Sequence, residues 1–258
     1  DVLGSRGLGD VYKRQTYKYH LAEFGFSDVW YKNLRFGLGL RFEYYKYKDF
    51  LFKKPELTGL DVESEHFLSY FAQVYYSTFD KGYFPSKGTE FKAAYSLYTD
   101  NMAQYNDHAP FSALSGSWAS VVPVTRRFSI IPSIYGRVLI GKDIAYPLQN
   151  AIGGEVYGLY IPQQLPFAGV TNMELMDNSI MIASVKLRQR MGSIHYLTLT
   201  GNYGLTDSHF FEILKGKQLF GISAGYGMDS MFGPLEITFG YSNQTDKGSC
   251  YVNLGYYF

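Results

Sequence analysis

Apolar and polar residues alternate along most of the chain with a period of two. In one segment Leu34, Phe36, Leu38, Leu40 and Phe42 alternate with Arg35, Gly37, Gly39, Arg41 and Glu43. The same alternation recurs over residues 91–98, 181–188, 235–242 and 250–258. Successive side chains of a strand point to opposite faces, so this pattern predicts strands with one apolar and one polar face. The sequence therefore predicts an all-β, antiparallel protein.

The strands and linkers that follow from this pattern suggest a membrane protein. We expect strands near 16–24, 33–47, 66–79, 88–98, 113–124, 128–140, 179–190, 194–205, 217–228, 233–242 and 249–258. Several exceed ten residues, the length of a tilted transmembrane strand, whereas strands of soluble sandwiches are mostly shorter. The linkers at one end are tight at 125–127 and 191–193 and of modest length at 25–32, 80–87 and 229–232. Those at the other end, 48–65, 99–112, 141–178 and 206–216, are longer, and only 243–248 is short there. Short turns at one end and long loops at the other are typical of outer-membrane barrels, with the short turns in the periplasm.

Composition supports the same interpretation. Aromatic residues make up 18% of the 258 residues, with 25 Tyr and 20 Phe. Tyrosine suits a boundary between apolar matter and water, which a barrel offers in its two aromatic girdles. The sequence lacks an apolar run long enough for a transmembrane helix, so a closed barrel is the remaining way to span a bilayer. A soluble sandwich or a lipocalin-like barrel would also alternate, but Arg, Lys, Glu, Gly and Ser on the second face suit a wet lumen.

Charge, cysteine and histidine narrow the possible partners. The net charge of +1 argues against a nucleic-acid partner, which usually requires a concentrated basic face. Cys250 is the single cysteine, so an intrachain disulfide is impossible. The five histidines are scattered at His20, His66, His108, His195 and His209. We therefore expect neither a metal site nor a cofactor.

One motif is associated with hydrolases: Gly221-Ile222-Ser223-Ala224-Gly225 matches GxSxG. A serine nucleophile in this motif needs a sharp turn from a strand into a helix. Here the apolar positions Phe220, Ile222, Ala224 and Tyr226 continue a strand through the motif. We therefore predict that Ser223 is not catalytic and that this chain is not itself an enzyme.

The first residues differ in character from the remainder. Residues 5–15 read Ser-Arg-Gly-Leu-Gly-Asp-Val-Tyr-Lys-Arg-Gln and resemble a translated sequencing adapter. We expect residues 1–15 to be a non-native tail that packs on nothing. Residues 16–258 would then be an outer-membrane β-barrel domain that is truncated at its N-terminus.

The C-terminal strands resemble those of the BamA/TamA outer-membrane superfamily. The resemblance rests on residues 233–242 and on Tyr251-Val-Asn-Leu-Gly-Tyr-Tyr-Phe258, and it implies an assembly signal formed by Val252, Leu254, Tyr256 and Phe258. In this superfamily the long sixth extracellular loop folds into the lumen and precedes the last five of sixteen strands, as loop 141–178 precedes five predicted strands here. The resemblance therefore implies that about eleven of sixteen strands are present. Such a piece would be an open, twisted sheet or a barrel forced shut.

The loop segment Leu165-Pro-Phe-Ala-Gly-Val170 resembles, more specifically, the barrel fused to patatin-like phospholipases in Bacteroidetes-type bacteria. This resemblance implies a lumen loop motif formed by Pro166, Phe167 and Gly169. The superfamily's motif commonly carries an Arg before the Gly-aromatic pair, and this segment has none. The implied function is to anchor an upstream phospholipase domain of the same chain, with display or translocation of that domain as a further implied role. A protein-assembly or translocation factor with upstream POTRA domains and a simple channel remain alternatives. The implied partners are outer-membrane lipid, the barrel-assembly machinery and the upstream domain.

Four basic residues fall on predicted lumen positions. Lys186, Arg188 and Arg190 lie on one face of a strand, and Arg137 lies on the preceding strand. They could form a solvated wall balanced by carboxylates such as Glu236, or a basic surface that contacts the long loop or a passing segment. Residues Asp143–Gly154 of that loop could be a variable cover without a further role.

Overall fold

The computed structural model of the chain describes residues 17–47, 65–154, 162–171, 175–245 and 248–255. Eleven strands in these ranges form one sheet, and their order across the sheet follows their order in the chain. They are β1 Tyr17–Tyr31, β2 Leu34–Tyr47, β3 Glu65–Ser77, β4 Gly88–Thr99, β5 Phe111–Pro123, β6 Phe128–Ile140, β10 Ser179–Met191, β11 His195–Asp207, β12 Lys217–Ser230, β13 Gly233–Ser242 and β14 Gly248–Leu254. All of their pairings are antiparallel. The predicted all-β, antiparallel architecture is confirmed.

The long loop between β6 and β10 has structure of its own. It contains a 3-10 turn at Tyr146–Leu148 and the strands β7 Asn150–Ile152, β8 Gln164–Leu165 and β9 Leu175–Asp177. In the small sheet that these strands form, β7 pairs with β8 in parallel and with β9 antiparallel. A second 3-10 segment covers Phe210–Lys215, between β11 and β12.

The period of two separates the two faces of the large sheet. On β10, Ile182 and Ser184 are buried, whereas the residues that alternate with them, Met181, Ala183 and Val185, are exposed. Because the strands pair in continuous register, the same division runs through their neighbours, with Ser184 opposite Asn202 on β11. One face is therefore a continuous apolar exterior, and the other is a mixed, mostly covered interior.

The sheet curves around its covered face. Tyr45 on β2 donates a 3.5 Å hydrogen bond to Gln163 of the long loop. Tyr251, on β14 at the far side of the sheet, donates a 3.0 Å bond to the carbonyl of Val170 in the same loop. The concave face is the lumen. Among the described residues, β1 and β14 pair with each other nowhere, so the sheet is open.

The first hairpin differs from its prediction. We expected a linker at 25–32, but β1 continues to Tyr31 and only a two-residue turn precedes β2. Gly25 and Ser27 lie opposite Gly39 and Gly37, and the register shifts only between Val29 and Tyr31. Gly and Ser are weak strand formers alone, but pairing with a long neighbouring strand overrides that local preference.

Some predicted features lie outside the described residues. These are the tail 1–15 and the two signal positions Tyr256 and Phe258. Val252 and Leu254 are described, and both are exposed on the outer face of β14. In the described part of the chain no helix is long and apolar enough to cross a membrane.

Candidate functional site

Much of the described part of the long loop lies on the lumen face of the sheet. Pro147 and Leu148, all of residues 150–154, and residues 167–170 are buried. The interpretation of Asp143–Gly154 as a mere cover is therefore wrong from Pro147 onward, because this segment fills the interior of the sheet. The site consists of this bound loop and the wall that holds it.

The first contact between wall and loop is made by Arg137 on β6. Its guanidinium donates hydrogen bonds to the carbonyl of Leu148 at 2.9 Å and to Oδ1 of Asn150 at 2.6 Å. Asn150 Nδ2 in turn donates to the carbonyls of Arg137 at 2.9 Å and Asn178 at 2.8 Å. Both side chains are buried, so these bonds replace the water that the charged and amide groups lose.

Glycines of the wall form a seat for the Pro-Phe-Ala-Gly segment of the loop. A Cβ on Gly221 would lie 2.2 Å from the carbonyl oxygen of Ala168 and 2.7 Å from the Phe167 ring, and one on Gly240 would lie 2.6 Å from the nitrogen of Gly169. Gly204 faces the same Phe167 ring. These glycines lie on the neighbouring strands β11, β12 and β13, so a side chain at any of them would reach the loop. Gly169 itself has φ +80°, a conformation that favours glycine.

Apolar burial adds to this seat. The loop residues Ile152, Phe167 and Val170 pack against Ile180, Ile182 and Leu219 of the wall. Burying a side chain of this size contributes about 1.5–3 kcal/mol. The Phe167 position of the predicted loop motif is thus the apolar anchor of the loop. Pro166 contributes its carbonyl, which accepts a 2.7 Å bond from the Tyr135 hydroxyl.

A second cluster closes the extracellular end of the lumen. Tyr98 and Phe111 stack with ring centroids 4.7 Å apart, and Tyr105 meets Phe111 edge-on at 4.8 Å. Leu148 of the loop belongs to the same buried cluster. Beside it, the buried carboxylate of Glu43 accepts hydrogen bonds from Tyr19 at 3.2 Å and Tyr45 at 2.8 Å.

The four basic residues do not form one surface. Arg137 binds the loop, as described above, while Arg188 donates to the carbonyl of Pro85 and Arg190 to that of Arg126 at 3.1 Å. Lys186 lines a small polar recess together with Glu236. Arg188 and Arg190 thus interact with the short turns at the periplasmic end, a destination that the sequence pattern did not indicate.

Ser223 lies in the middle of β12, opposite Thr200 on β11 and Gly240 on β13. The strand continues unbroken from Lys217 to Ser230, so the strand-to-helix turn of a nucleophile elbow is not formed here. Gly221 of the GxSxG match has a different role, since it seats Phe167. Loop packing therefore accounts for the first glycine of the motif.

Sequence reasoning missed several residues of this site. Asn150, Tyr135, Gly204 and Gly240 were not singled out, and Gly221 was considered only as part of the GxSxG match. Glycine within a strand nevertheless often marks a close approach of another backbone segment. Asp207, His209 and Glu212, at the extracellular end of β11, have potential ligand atoms within 4.8 Å of one another. This trio is largely exposed.

An antiparallel sheet with an apolar exterior, a covered concave face and a loop bound inside it is the architecture of an outer-membrane β-barrel. The chain belongs to the OMP85 superfamily, which matches residues 16–258. It is an integral protein of the bacterial outer membrane. No curated protein matches the chain by sequence.

Solved structures show the same fold. BamA from Haemophilus ducreyi, in a form lacking POTRA domains 1–3, has a TM-score of 0.67 at 10% identity, with 92% of this chain and 55% of that chain covered. CdiB from Escherichia coli has a TM-score of 0.64 at 15% identity, with 93% of this chain and 45% of that chain covered. The chain thus spans about half the length of these structures.

Proposed function

We propose that this chain is the membrane module that anchors an upstream domain of the same polypeptide to the outer membrane. The observation that carries the proposal is the bound loop. Arg137 and the glycine seat hold it against the lumen face by buried polar and apolar contacts, and a loop in this position would obstruct an open pore. A filled barrel serves as a stable anchor, whereas a simple channel needs a continuous aqueous path.

The upstream domain that we propose is a patatin-like phospholipase. Support for it comes from the segment Leu165–Val170, which resembles the loop of barrels fused to such enzymes. Hydrolysis belongs to that domain in this proposal, because the GxSxG match of the barrel has a packing role. The barrel-assembly machinery would insert the module, and outer-membrane lipid would surround its apolar face.

A second candidate is a protein-assembly or translocation factor. It is favoured by the likeness to BamA and CdiB, which extends over more than nine-tenths of this chain. In that case the upstream part would hold POTRA domains, and the loop would regulate passage through or beside the barrel.

One experiment separates these candidates. The complete protein, with its upstream sequence, is purified from outer membranes and mixed with phospholipid vesicles. We expect release of fatty acid that is abolished by substituting an upstream nucleophilic serine and is unchanged by Ser223→Ala. If the protein releases no fatty acid and its depletion impairs the insertion of other barrels, the second candidate replaces the first. Ion conductance of the unmodified protein would favour the simple channel instead.

A further inference from the structure

The connection between β3 and β4 enters the lumen at the end opposite the aromatic cluster. Phe84, near its tip, is buried and stacks on Tyr196 of β11, with ring centroids 4.4 Å apart and planes at 9°. Tyr196 pairs with Arg190 of β10 and Gly227 of β12, close to the short turns that follow those strands. The connection therefore crosses the concave face at its periplasmic end and reaches the opposite wall.

Three wall residues contact the tip of this connection. Gly227 leaves space for the Phe84 ring, since a Cβ at this position would lie 2.7 Å from it. Arg188 donates a hydrogen bond to the carbonyl of Pro85, and its guanidinium lies 5.8 Å from the centre of the Tyr196 ring. A longer ion pair, 3.9 Å between Lys81 and Asp229, adds a partly exposed contact at the rim. The wall thus offers this short segment three features: the ring face of Tyr196, the space beside Gly227 and the hydrogen-bond donor of Arg188.

The turn is built to hold its shape. Asp80 accepts hydrogen bonds from the backbone N–H groups of Ser86 at 2.7 Å and Lys87 at 3.3 Å, which close the base of the segment. Gly88, with φ +111°, lets the chain return into β4. Phe84 has φ +47°, a strained conformation for a residue other than glycine. Such strain persists only where surrounding contacts maintain it, and it is relieved when the ring leaves its seat.

We propose that residues 79–87 form a plug that closes the periplasmic end of the lumen, and that this plug can leave its seat on Arg188, Tyr196 and Gly227. The contacts described above are localised at one end of the lumen, and opening would break the aromatic stack, the charged hydrogen bond and the partly exposed ion pair. In the open position the polar lumen wall beyond Tyr196, including Thr198 and Thr200, becomes accessible from the periplasm. The device does not depend on which domain precedes the barrel.

The test uses a lumen thiol behind the plug. In the complete protein Cys250 is changed to Ser and Thr200 to Cys, and the rate of labelling by a membrane-impermeant maleimide is measured in reconstituted vesicles. Gly227→Ala places a methyl group in the Phe84 site and should accelerate labelling at least about tenfold, a shift of about 1.4 kcal/mol in the closed–open equilibrium. Gly201→Ala is the matched control, because nothing lies within 4 Å of its added Cβ, and it should leave the rate unchanged.

A second variant keeps the test decisive if Gly227→Ala folds poorly. Phe84→Ala removes the ring without adding bulk and should accelerate labelling similarly. Since both changes act through the same contact, the double variant should label no faster than Phe84→Ala alone. The proposal is overturned if Phe84→Ala, shown to be folded by heat-modifiable migration, labels at the parent rate.

Discussion

Arg137 and Asn150 bind each other by hydrogen bonds in both directions. The Arg137 guanidinium donates to Asn150 Oδ1 at 2.6 Å, and Asn150 Nδ2 donates to the Arg137 carbonyl at 2.9 Å. The loop lacks the Arg that the resembled superfamily commonly carries in its motif. In this chain the cation that ties the loop to the wall is Arg137 on the wall, and its partner on the loop is the neutral amide of Asn150.

The first prediction follows from this pair. Asn150→Ala leaves the buried guanidinium with one fewer acceptor, and it removes one hydrogen-bond donor from each of the backbone carbonyls of Arg137 and Asn178. Hydrogen bonds to charged groups contribute about 1.5–3 kcal/mol each, so we expect the free energy of unfolding to fall by about 2–4 kcal/mol. The measurement is urea unfolding of the folded protein in detergent, followed by tryptophan fluorescence.

A second variant of the same pair is Arg137→Met, and Arg127→Met is its matched control. Arg127 is exposed in the turn between β5 and β6, so its loss should change the free energy of unfolding by no more than about 0.5 kcal/mol. Arg137→Met should release the loop and make it sensitive to added protease. Equal protease resistance of the two Met variants would contradict the role assigned to Arg137.

The second prediction concerns the glycine seat. Gly221→Ala forces a methyl group to within 2.2 Å of the Ala168 carbonyl oxygen, so the loop must shift. Overpacking of this kind costs about 1–3 kcal/mol. We expect a lower thermal midpoint and faster cleavage of the loop by protease. Gly201→Ala, which has open space, should behave as the parent, and an unchanged Gly221→Ala would show that the loop is not seated there.

The third prediction concerns alkaline pH. Tyr105 lies in the loop between β4 and β5, where burial raises the pKa of its hydroxyl to about 12. An unfolded tyrosine ionises near about pH 10, so between these values the folded state binds more protons, and stability falls as pH rises. Tyr105→Phe removes this contribution. Its free energy of unfolding should therefore decrease less than that of the parent between about pH 9 and about pH 12.

The same substitution has an effect at neutral pH. The Tyr105 hydroxyl accepts a 3.0 Å bond from the backbone N–H of Ala145, and Phe leaves this donor without that partner. We expect Tyr105→Phe to be less stable than the parent by about 1–3 kcal/mol at neutral pH. Identical pH slopes for the two proteins would refute the assignment of the alkaline effect to Tyr105.

The fourth prediction concerns assembly. Val252 and Leu254 project from the outer face of β14, and Phe258 continues this alternating series in the sequence. Deleting Phe258 should reduce the amount of complete protein that reaches the heat-modifiable, folded form in the outer membrane. Tyr257→Ala changes the neighbouring position, which is outside the alternating series in the sequence, and should assemble normally. Equal assembly of both variants would show that Phe258 is not part of the signal.

The sequence alone determined the strands, the faces and the compartment. Alternation such as that of Leu34, Phe36 and Leu38 is a local property, since each strand residue points to the face opposite its neighbour whatever the remainder of the chain does. Strand length and the sorting of short and long linkers then indicated the membrane and its two sides. The same local reasoning failed at Gly25 and Ser27, where pairing with β2 prevailed over composition.

Only the tertiary structure decided where the loop and the turns go. Arg137 with Asn150, Gly221 with Phe167, and Tyr196 with Phe84 are contacts between positions far apart in the sequence. They exist because the register places those wall residues on the lumen face and because the curvature of the sheet brings opposite walls within reach. Register and curvature depend on several strands together, so a single segment of the sequence does not determine them. From the sequence, the same glycines and arginines therefore predicted a polar wall but not the contact that each residue makes.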